Sequence, residues 1–275
     1  MMTKIRPSAI KRILFGLSLA LSTGLGSAPL AQGFELDEIV QVGMAQGWRM
    51  DNGRHMAAVQ ITLAPGWHTY WRQPGDSGIP PQFDWSGSEN LAAADVLYPT
   101  PKIIQLGDSS SLGYYDQVVF PIELTPTQTG AAMSLRATLQ IGVCEEVCLP
   151  ASFDLNVALP ALGAPVPMIT RALKARPKLA KTQPGCKAAP ISDGIRITMR
   201  LPAASAQDID RVVIETNDPT TWVSRPNQAR SDGHWTSEAE MVPADGKPFA
   251  LARSEVQMTL FSGGSATVYQ GCTAF

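Results

Sequence analysis

The sequence of 275 residues lacks the short motifs on which several common chemistries depend. It has no Gly-rich phosphate-binding loop, no Ser/His/Asp signature and no cysteine or histidine spacing typical of a zinc site. Only three histidines are present, and one of them, His234, follows an Asp-Gly pair as an isolated turn histidine with no predicted catalytic role. Phosphate-loop, serine-hydrolase and zinc chemistry are therefore not predicted, and we expect no cofactor and no resident metal.

Long apolar runs are also scarce, and the one candidate lies at the N-terminus. Four basic residues precede an apolar run over residues 13–26, and small residues follow it. This layout is typical of a secretory signal peptide, so we expect residues 1–33 to be a leader cleaved near Ala31 or Gly33. The alternative is an uncleaved anchor, but the run is shorter than the roughly 20 residues that span a bilayer.

Positive charge is low as well. Removal of the four basic residues of the leader from the 22 Lys and Arg leaves 18 against 24 Asp and Glu, a net charge of about −6. This balance disfavours nucleic acid as a partner. The chain has 22 Pro, 23 Gly and few helix signals, which favours an all-β protein built from sandwich domains.

Short apolar and alternating segments predict the strands and the domain organisation. We expect a first β-sandwich over residues 34–160, a linker over 161–185 and a second β-sandwich over 186–275. The linker is locally basic and includes a possible short helix over residues 166–175; a contact site for an acidic partner is the alternative. The predicted strands are 39–44, 54–63, 82–85, 95–98, 118–124, 134–143, 152–159, 194–201, 211–216, 255–261 and 266–269.

Residues 65–81 combine an aromatic segment with a loop. The first half predicts a strand that carries Trp67, Tyr70 and Trp71, and the Pro/Gly-rich second half predicts an irregular loop. The aromatic side chains either cap the sandwich core or contact a partner near the thiols described next. Residues 107–113, which are rich in Ser and Gly, predict a second, flexible loop.

The segment Cys144-Glu145-Glu146-Val147-Cys148 is the most informative stretch of the chain. In a straight strand its two cysteines would lie about 13 Å apart. A disulfide requires Cα atoms within about 7 Å. The chain must therefore bend at Glu145 and Glu146 if the sulfurs are to meet. Such a pair is a redox couple, a pair of metal ligands or a small structural staple, and the spacing leaves all three open.

Cys186 and Cys272 bracket the second β-pattern. A bond between them is the economical pairing in an oxidising compartment, and it leaves Cys144 and Cys148 as a self-contained pair. Four cysteines allow three connectivities, so this scheme is an inference from spacing.

The charges beside the first pair favour a particular use of it. Glu145 and Glu146 disfavour the thiolate by like-charge repulsion. This suppresses promiscuous attack and spontaneous oxidation, which suits a guarded carrier of reducing equivalents better than an oxidase. A buried structural disulfide, and with it a non-catalytic scaffold, is one alternative.

Copper binding is the other alternative. Two thiolates with a Met or His would suit Cu(I), which prefers soft ligands. The available side chains are His68, Met44, Met50 and Met56, but none is near the cysteines in sequence, and each is expected to be a core or surface residue.

Several segments resemble one known family. They are residues 66–71, 74–78, 115–116 with 119–121, and 143–150. Together they are similar to the periplasmic N-terminal domain of the thiol–disulfide interchange protein DsbD, and most closely to its ScsB-type relatives linked to copper tolerance. The cysteine spacing supports the ScsB type, because three residues separate the cysteines here and five separate them in DsbD.

The resemblance implies a fold and a function. It implies immunoglobulin-like sandwiches in the periplasm, with Cys144 and Cys148 as the redox pair and Cys148 as the sulfur that forms mixed disulfides. The loop over residues 107–112, with Asp108, takes the place of the family's cap loop but lacks its aromatic residue. The membrane-spanning and thioredoxin-like modules of DsbD are not expected in this chain. The expected partners are a separate membrane-embedded thiol donor and periplasmic thioredoxin-like acceptors, with links to cytochrome c assembly or copper tolerance.

Overall fold

A computed structural model describes residues 35–75, 77–107 and 109–275 of the chain. The signal peptide predicted for residues 1–33 lies outside the described residues. Residues 35–275 belong to one compact unit. No helix in the described part of the chain is long and apolar enough to cross a membrane.

Strands account for most of the regular structure. Two α-helices are present in the described ranges, α1 (Leu36–Ile39) and α2 (Pro167–Lys174), together with short 3-10 helices at Ala203–Ser205 and Arg253–Glu255. The strands are β1 Val40–Arg49, β2 His55–Leu63, β3 His68–Gly75, β4 Gln82–Asp84, β5 Leu91–Val96, β6 Lys102–Leu106, β7 Ser109–Tyr115, β8 Gln117–Pro126, β9 Met133–Cys144, β10 Cys148–Leu159, β11 Lys178–Leu179, β12 Gly185–Pro190, β13 Ile195–Pro202, β14 Arg211–Glu215, β15 Trp222–Val223, β16 Asn227–Ser231, β17 His234–Val242, β18 Gln257–Ser262, β19 Ser265–Gln270 and β20 Thr273–Ala274.

These strands form four sheets. The first two have the orders β1-β2-β8-β5 and β10-β9-β3-β7-β6, with β4 also paired to β9. The other two have the orders β11-β19-β18-β14 and β15-β17-β13-β12-β20, with β16 also paired to β17. The predicted all-β fold of two sandwiches is confirmed. The exact domain boundaries at residues 160 and 186 stay predictions.

The core of the first sandwich follows from alternation along its strands. In β9 the side chains of Met133, Leu135, Ala137, Leu139 and Ile141 are buried, whereas the alternate positions between them are more exposed until the strand nears Cys144. Period-two burial of this kind is what a sheet with one face on the core requires. The inner faces of both sheets meet in one large apolar cluster.

Helix α2 confirms the short helix predicted over residues 166–175 and explains a strand that lacks alternation. The first five residues of β2 are all buried. One face of β2 joins the sandwich core, and the other packs under α2, where Ile169 contacts the cluster that contains Met56 and Ala58. The segment interpreted as a linker is therefore packed on the first sandwich at α2, and its β11 pairs with β19.

The second sandwich has its own core around Trp235 and Met199. Cys186 of β12 is bonded to Cys272 just before β20, with Cα atoms 5.6 Å apart. Both sulfur-bearing residues are buried, with exposed fractions of 1% and 7%. The bond joins the two ends of the second β-region.

Two hairpins depart from the strand prediction. Residues 107–113, expected to be a flexible loop, instead contribute Ser109–Tyr115 as β7, a strand with five consecutive buried residues. The β16–β17 hairpin was not predicted at all. It turns at Asp232 and Gly233, both with positive φ (51° and 73°), which is the type I′ turn favoured by an Asp-Gly pair. The Asp232-Gly233 pair is the sequence signal that could have predicted this hairpin. The turn places His234 at the start of β17.

Strand β3 links the first sandwich to the second. Arg72 donates two hydrogen bonds of 2.9 Å to the carboxylate of Glu215 on β14, and Gln257 donates a third at 3.3 Å. The Trp71 ring meets Phe261 of β18 edge to face, with centroids 5.5 Å apart. Because the guanidinium of Arg72 donates two parallel hydrogen bonds to one buried carboxylate, the pair fixes both the distance between the two side chains and their relative orientation.

We predict that Arg72→Met lowers the free energy of unfolding by about 1.5–3 kcal/mol, because it leaves the buried Glu215 carboxylate without its charged donor. Urea unfolding followed by circular dichroism measures the change. The matched control is Arg54→Met, which removes a 2.8 Å pair with Glu123 on the surface. Exposed pairs contribute little, so equal losses in both variants would contradict this interpretation.

Candidate functional site

The two cysteines face each other across a tight hairpin. Cys144 ends β9, Cys148 begins β10, and the two residues are directly paired in the antiparallel ladder. The bend predicted at Glu145 and Glu146 is present: the turn covers residues 145–147, and the Glu145 amide donates to the Val147 carbonyl at 3.1 Å. The Cα atoms of Cys144 and Cys148 lie 4.1 Å apart, and the sulfurs form a disulfide.

The two sulfurs differ in accessibility. Cys144 is 1% exposed, whereas Cys148 is an exposed residue at the start of the edge strand. Val147 beside it is 50% exposed, an unusual value for a large apolar side chain. Of the two residues, Cys148 is therefore the one that faces solvent, and Cys144 is shielded from it.

Strand β3 separates its aromatic side chains by face. Trp67 and Trp71 are buried in the core between the sheets. His68 and Tyr70 alternate with them and occupy the opposite face, where His68 pairs with Cys144 across the β3–β9 ladder. The core alternative is thus correct for the tryptophans. Tyr70 contacts the cysteines of the same chain, and contact of this segment with a partner stays a prediction.

The Tyr70 hydroxyl contacts both sulfurs. It donates a hydrogen bond to Cys144 Sγ at 3.1 Å and lies 3.5 Å from Cys148 Sγ. The side chain is 1% exposed, and burial raises its pKa, with a smaller contribution from Tyr115. The hydroxyl therefore keeps its proton at neutral pH and acts as a donor.

Close packing around the Tyr70 ring explains a glycine two residues before Cys144. A Cβ on Gly142 would lie 2.8 Å from Ile79 Cβ and 3.2 Å from the ring of Tyr70. The backbone of Gly78 lies against the other part of the same ring. Residues 77–80 of the predicted Pro/Gly-rich loop thus cover Tyr70 from outside the sheet.

The segment expected to serve as the cap contributes residues 109–112 to strand β7, and its role as a cap stays a prediction. Asp108 is outside the described residues, and Ser110 and Ser111 are buried in β7. Ser110 accepts a 2.7 Å hydrogen bond from Arg211, and Ser111 donates a 2.8 Å bond to the Ser77 carbonyl. These distant partners satisfy the serine hydroxyls, so a Ser-rich segment forms a buried strand and anchors the base of the loop over Tyr70.

The two acidic residues of the turn are both exposed, and a close contact is described for Glu145. The Glu145 carboxylate lies over Gly66 in the turn that precedes β3, where φ is 87° and a Cβ would clash with it. Glu146 is exposed. Their predicted influence on the thiols stays a prediction.

Of the side chains named for copper binding, His68 lies opposite Cys144 in the β3–β9 ladder, and copper binding stays a prediction. The described residues contain no group of three or more His, Cys, Asp or Glu side chains placed to hold a metal ion. Met56 belongs to the cluster under α2, remote from the cysteine face of the sheet.

Comparison with known proteins identifies the domain around this site. The model of the family described as thiol:disulfide interchange protein DsbD, N-terminal, matches residues 37–159. The N-terminal periplasmic domain of ScsB from Proteus mirabilis matches with a TM-score of 0.60 and 19% identity, over 88% of this chain and 96% of that chain. The N-terminal domain of DsbD from Neisseria meningitidis, in its reduced form, matches with a TM-score of 0.28 and 13% identity, over 44% of this chain and 86% of that chain. No curated protein sequence matches the chain.

The family-model match confirms the resemblance predicted from the aromatic and cysteine motifs. Residues 37–159 are similar to the DsbD N-terminal family, and the immunoglobulin-like fold predicted for the chain is confirmed. The likeness to the ScsB domain extends that fold through most of the chain. The region that matches the family model contains the Cys144–Cys148 pair.

We predict that Tyr70→Phe slows reduction of the Cys144–Cys148 bond by dithiothreitol at neutral pH. A hydrogen bond to a charged acceptor contributes about 1.5–3 kcal/mol. If the departing Cys144 thiolate loses the hydrogen bond from Tyr70, the rate of reduction should be roughly tenfold to a hundredfold lower. Stopped alkylation followed by mass spectrometry measures the rate.

Tyr115→Phe is the matched control for this variant. Tyr115 contacts the same histidine as Tyr70, with ring centroids 5.5 Å apart, and no described hydrogen bond joins its hydroxyl to a sulfur. Its removal should leave the rate within about twofold, since only a hydroxyl that meets the developing thiolate changes the barrier. Equal rates for Tyr70→Phe and the unsubstituted protein would refute the role given to the hydroxyl.

Proposed function

We propose that this protein is a periplasmic thiol–disulfide exchange carrier. It receives reducing equivalents from a separate membrane-embedded donor and passes them to thioredoxin-like acceptors through Cys144 and Cys148. The match to the DsbD N-terminal domain and the likeness to a domain described as periplasmic support this assignment.

The observation that carries the proposal is the asymmetry of the two sulfurs. Cys148 is exposed, whereas Cys144 is buried and receives the Tyr70 hydrogen bond. A disulfide is cleaved fastest when the attacked sulfur is accessible and the other leaves as a stabilised thiolate. This geometry directs attack to Cys148 and makes Cys144 the leaving group.

The exchange proceeds in two balanced steps in each direction. A donor thiolate attacks Cys148 Sγ, a mixed disulfide forms, and the electron pair of the broken bond goes to Cys144. The second donor thiol then displaces Cys148, so that the donor becomes a disulfide and the carrier a dithiol with two electrons and two protons gained. Towards an acceptor, Cys148 attacks the acceptor disulfide and Cys144 resolves the mixed disulfide.

The surroundings of the pair restrict this chemistry to suitable partners. Glu145 and Glu146 add negative charge at the turn, which disfavours an exposed thiolate and selects against anionic small thiols. Residues 77–80 cover the Tyr70 side of the site, with Ile79 against Gly142. Exposed Val147 offers an apolar contact beside Cys148 for a partner that fits the turn.

We predict that Cys144→Ser accumulates a mixed disulfide with a thioredoxin-like periplasmic protein, because it keeps the exchanging thiol and lacks the resolving one. A non-reducing gel of periplasmic extract shows the added band, and reductant removes it. The acceptor is identified by mass spectrometry after affinity capture.

Cys148→Ser is the matched control, since it differs only in which sulfur remains. It should trap far less, because Cys144 is buried. Preferential trapping by Cys148→Ser would reverse the two roles, and trapping by neither variant would refute exchange with soluble partners.

A further inference from the structure

A single row of side chains crosses four strands at the cysteine end of the sheet. Cys148 of β10 is paired with Cys144 of β9, Cys144 with His68 of β3, and His68 with Tyr115 of β7. Residues directly opposite each other in antiparallel strands share a face, with Cβ atoms about 4.5–5.5 Å apart. The register therefore places His68 directly opposite Cys144, whose sulfur receives the electron pair in the proposed exchange.

His68 is buried without a partner for one of its nitrogens. Its exposed fraction is 1%, and Nε2 has neither solvent contact nor a hydrogen bond within the described part of the chain. A buried polar group normally has a partner, and an exception calls for a functional explanation. Its ring contacts are aromatic: Tyr70 meets it edge to face at 5.3 Å and Tyr115 lies at 5.5 Å.

We propose that His68 accepts the proton of Cys144 in the reduced protein and so keeps the resolving cysteine as a thiolate. This role rests on the exchange function proposed above. In the reduced state the Cys144 thiol gives its proton to the imidazole, which yields a neutral pair of thiolate and imidazolium. The Cys144 thiolate then attacks Cys148 in the mixed disulfide, the acceptor leaves as a thiolate, and the proton held by His68 is released to that product.

The oxidised state keeps the imidazole neutral. Burial lowers the pKa of His68, and a disulfide next to it carries no charge that would oppose this effect. Reduction allows Cys144 to become a thiolate, whose negative charge compensates the positive charge of an imidazolium at His68. A nearby opposite charge favours the charged form of each partner. Tyr70 of β3 and Tyr115 of β7 contact the ring, and Cys144 of β9 lies opposite it in the ladder. The other titratable groups of this end of the sheet are Cys148, which is paired with Cys144, and Glu145, which lies over Gly66.

The decisive experiment titrates Cys144 alone. In Cys148→Ser, with Cys186 and Cys272 still bonded, the ultraviolet absorbance of the thiolate reports only Cys144. We expect its midpoint to lie at least about one pH unit below that of the Cys148→Ser, His68→Gln protein. Equal midpoints in the two proteins would overturn the proposal.

His55 supplies the matched control. It is also 1% exposed, burial is the main cause that lowers its pKa, and its Nε2 lies 2.6 Å from the Gln46 carbonyl, away from the row. His55→Gln in the Cys148→Ser background should leave the Cys144 midpoint unchanged. If His55→Gln raised the Cys144 midpoint as much as His68→Gln does, loss of any buried histidine would perturb the thiol, and the specific role given to His68 would be refuted.

A second measurement needs no change at His68. Nuclear magnetic resonance of the imidazole nitrogens at neutral pH should show a neutral ring in the disulfide form and an imidazolium in the reduced form. A neutral ring in both forms would contradict the proposal even if His68→Gln failed to fold. Neither measurement uses an exchange partner, so failure to trap an acceptor would count against the carrier function and leave this test intact.

Discussion

The hydrogen bond from Tyr70 to Cys144 depends on the position of one strand. Strand β3 lies between β9, which ends in Cys144, and β7, and it meets β9 through a single paired position at His68. Thr69 reinforces this short contact by donating from Oγ1 to the Gly142 carbonyl at 2.9 Å. Outside the core, β3 is fixed by Arg72 and its bond to Glu215 of the second sandwich. The second sandwich thus holds the strand that positions the donor at the sulfurs.

That placement gives chemically different roles to two identical residues. Cys148 meets solvent, and Cys144 lies in a buried face among hydroxyl and imidazole groups. The difference comes from the hairpin: an edge strand exposes its first residue, while its partner lies one strand further into the sheet. In the proposed mechanism, this difference in exposure determines which sulfur is attacked and which one leaves. It is also the reason that Cys144 must act as a thiolate when it resolves the mixed disulfide.

Local patterns predicted the parts of the fold that depend on local physics. The bend between Cys144 and Cys148, the alternating strands and helix α2 are fixed by spacing and by which residues must be buried. Strand β7 was missed because Ser110 and Ser111 are suited to a strand only when Arg211 and Ser77, distant in sequence, satisfy them. The place of His68 opposite Cys144 could not be predicted from local patterns, because it depends on the register between β3 and β9.

We propose that the Cys144–Cys148 bond is a reversible redox couple, whereas the buried Cys186–Cys272 bond is structural. The most direct test equilibrates the protein lacking residues 1–33 in glutathione buffers of graded potential and quantifies each bond by alkylation and peptide mapping. We predict that the first bond opens and closes reversibly while the second stays closed and the fold is retained, because exposed disulfides are the labile ones. A first bond that opens only when the protein unfolds, or cysteines of the two pairs found bonded to each other, would contradict the claim.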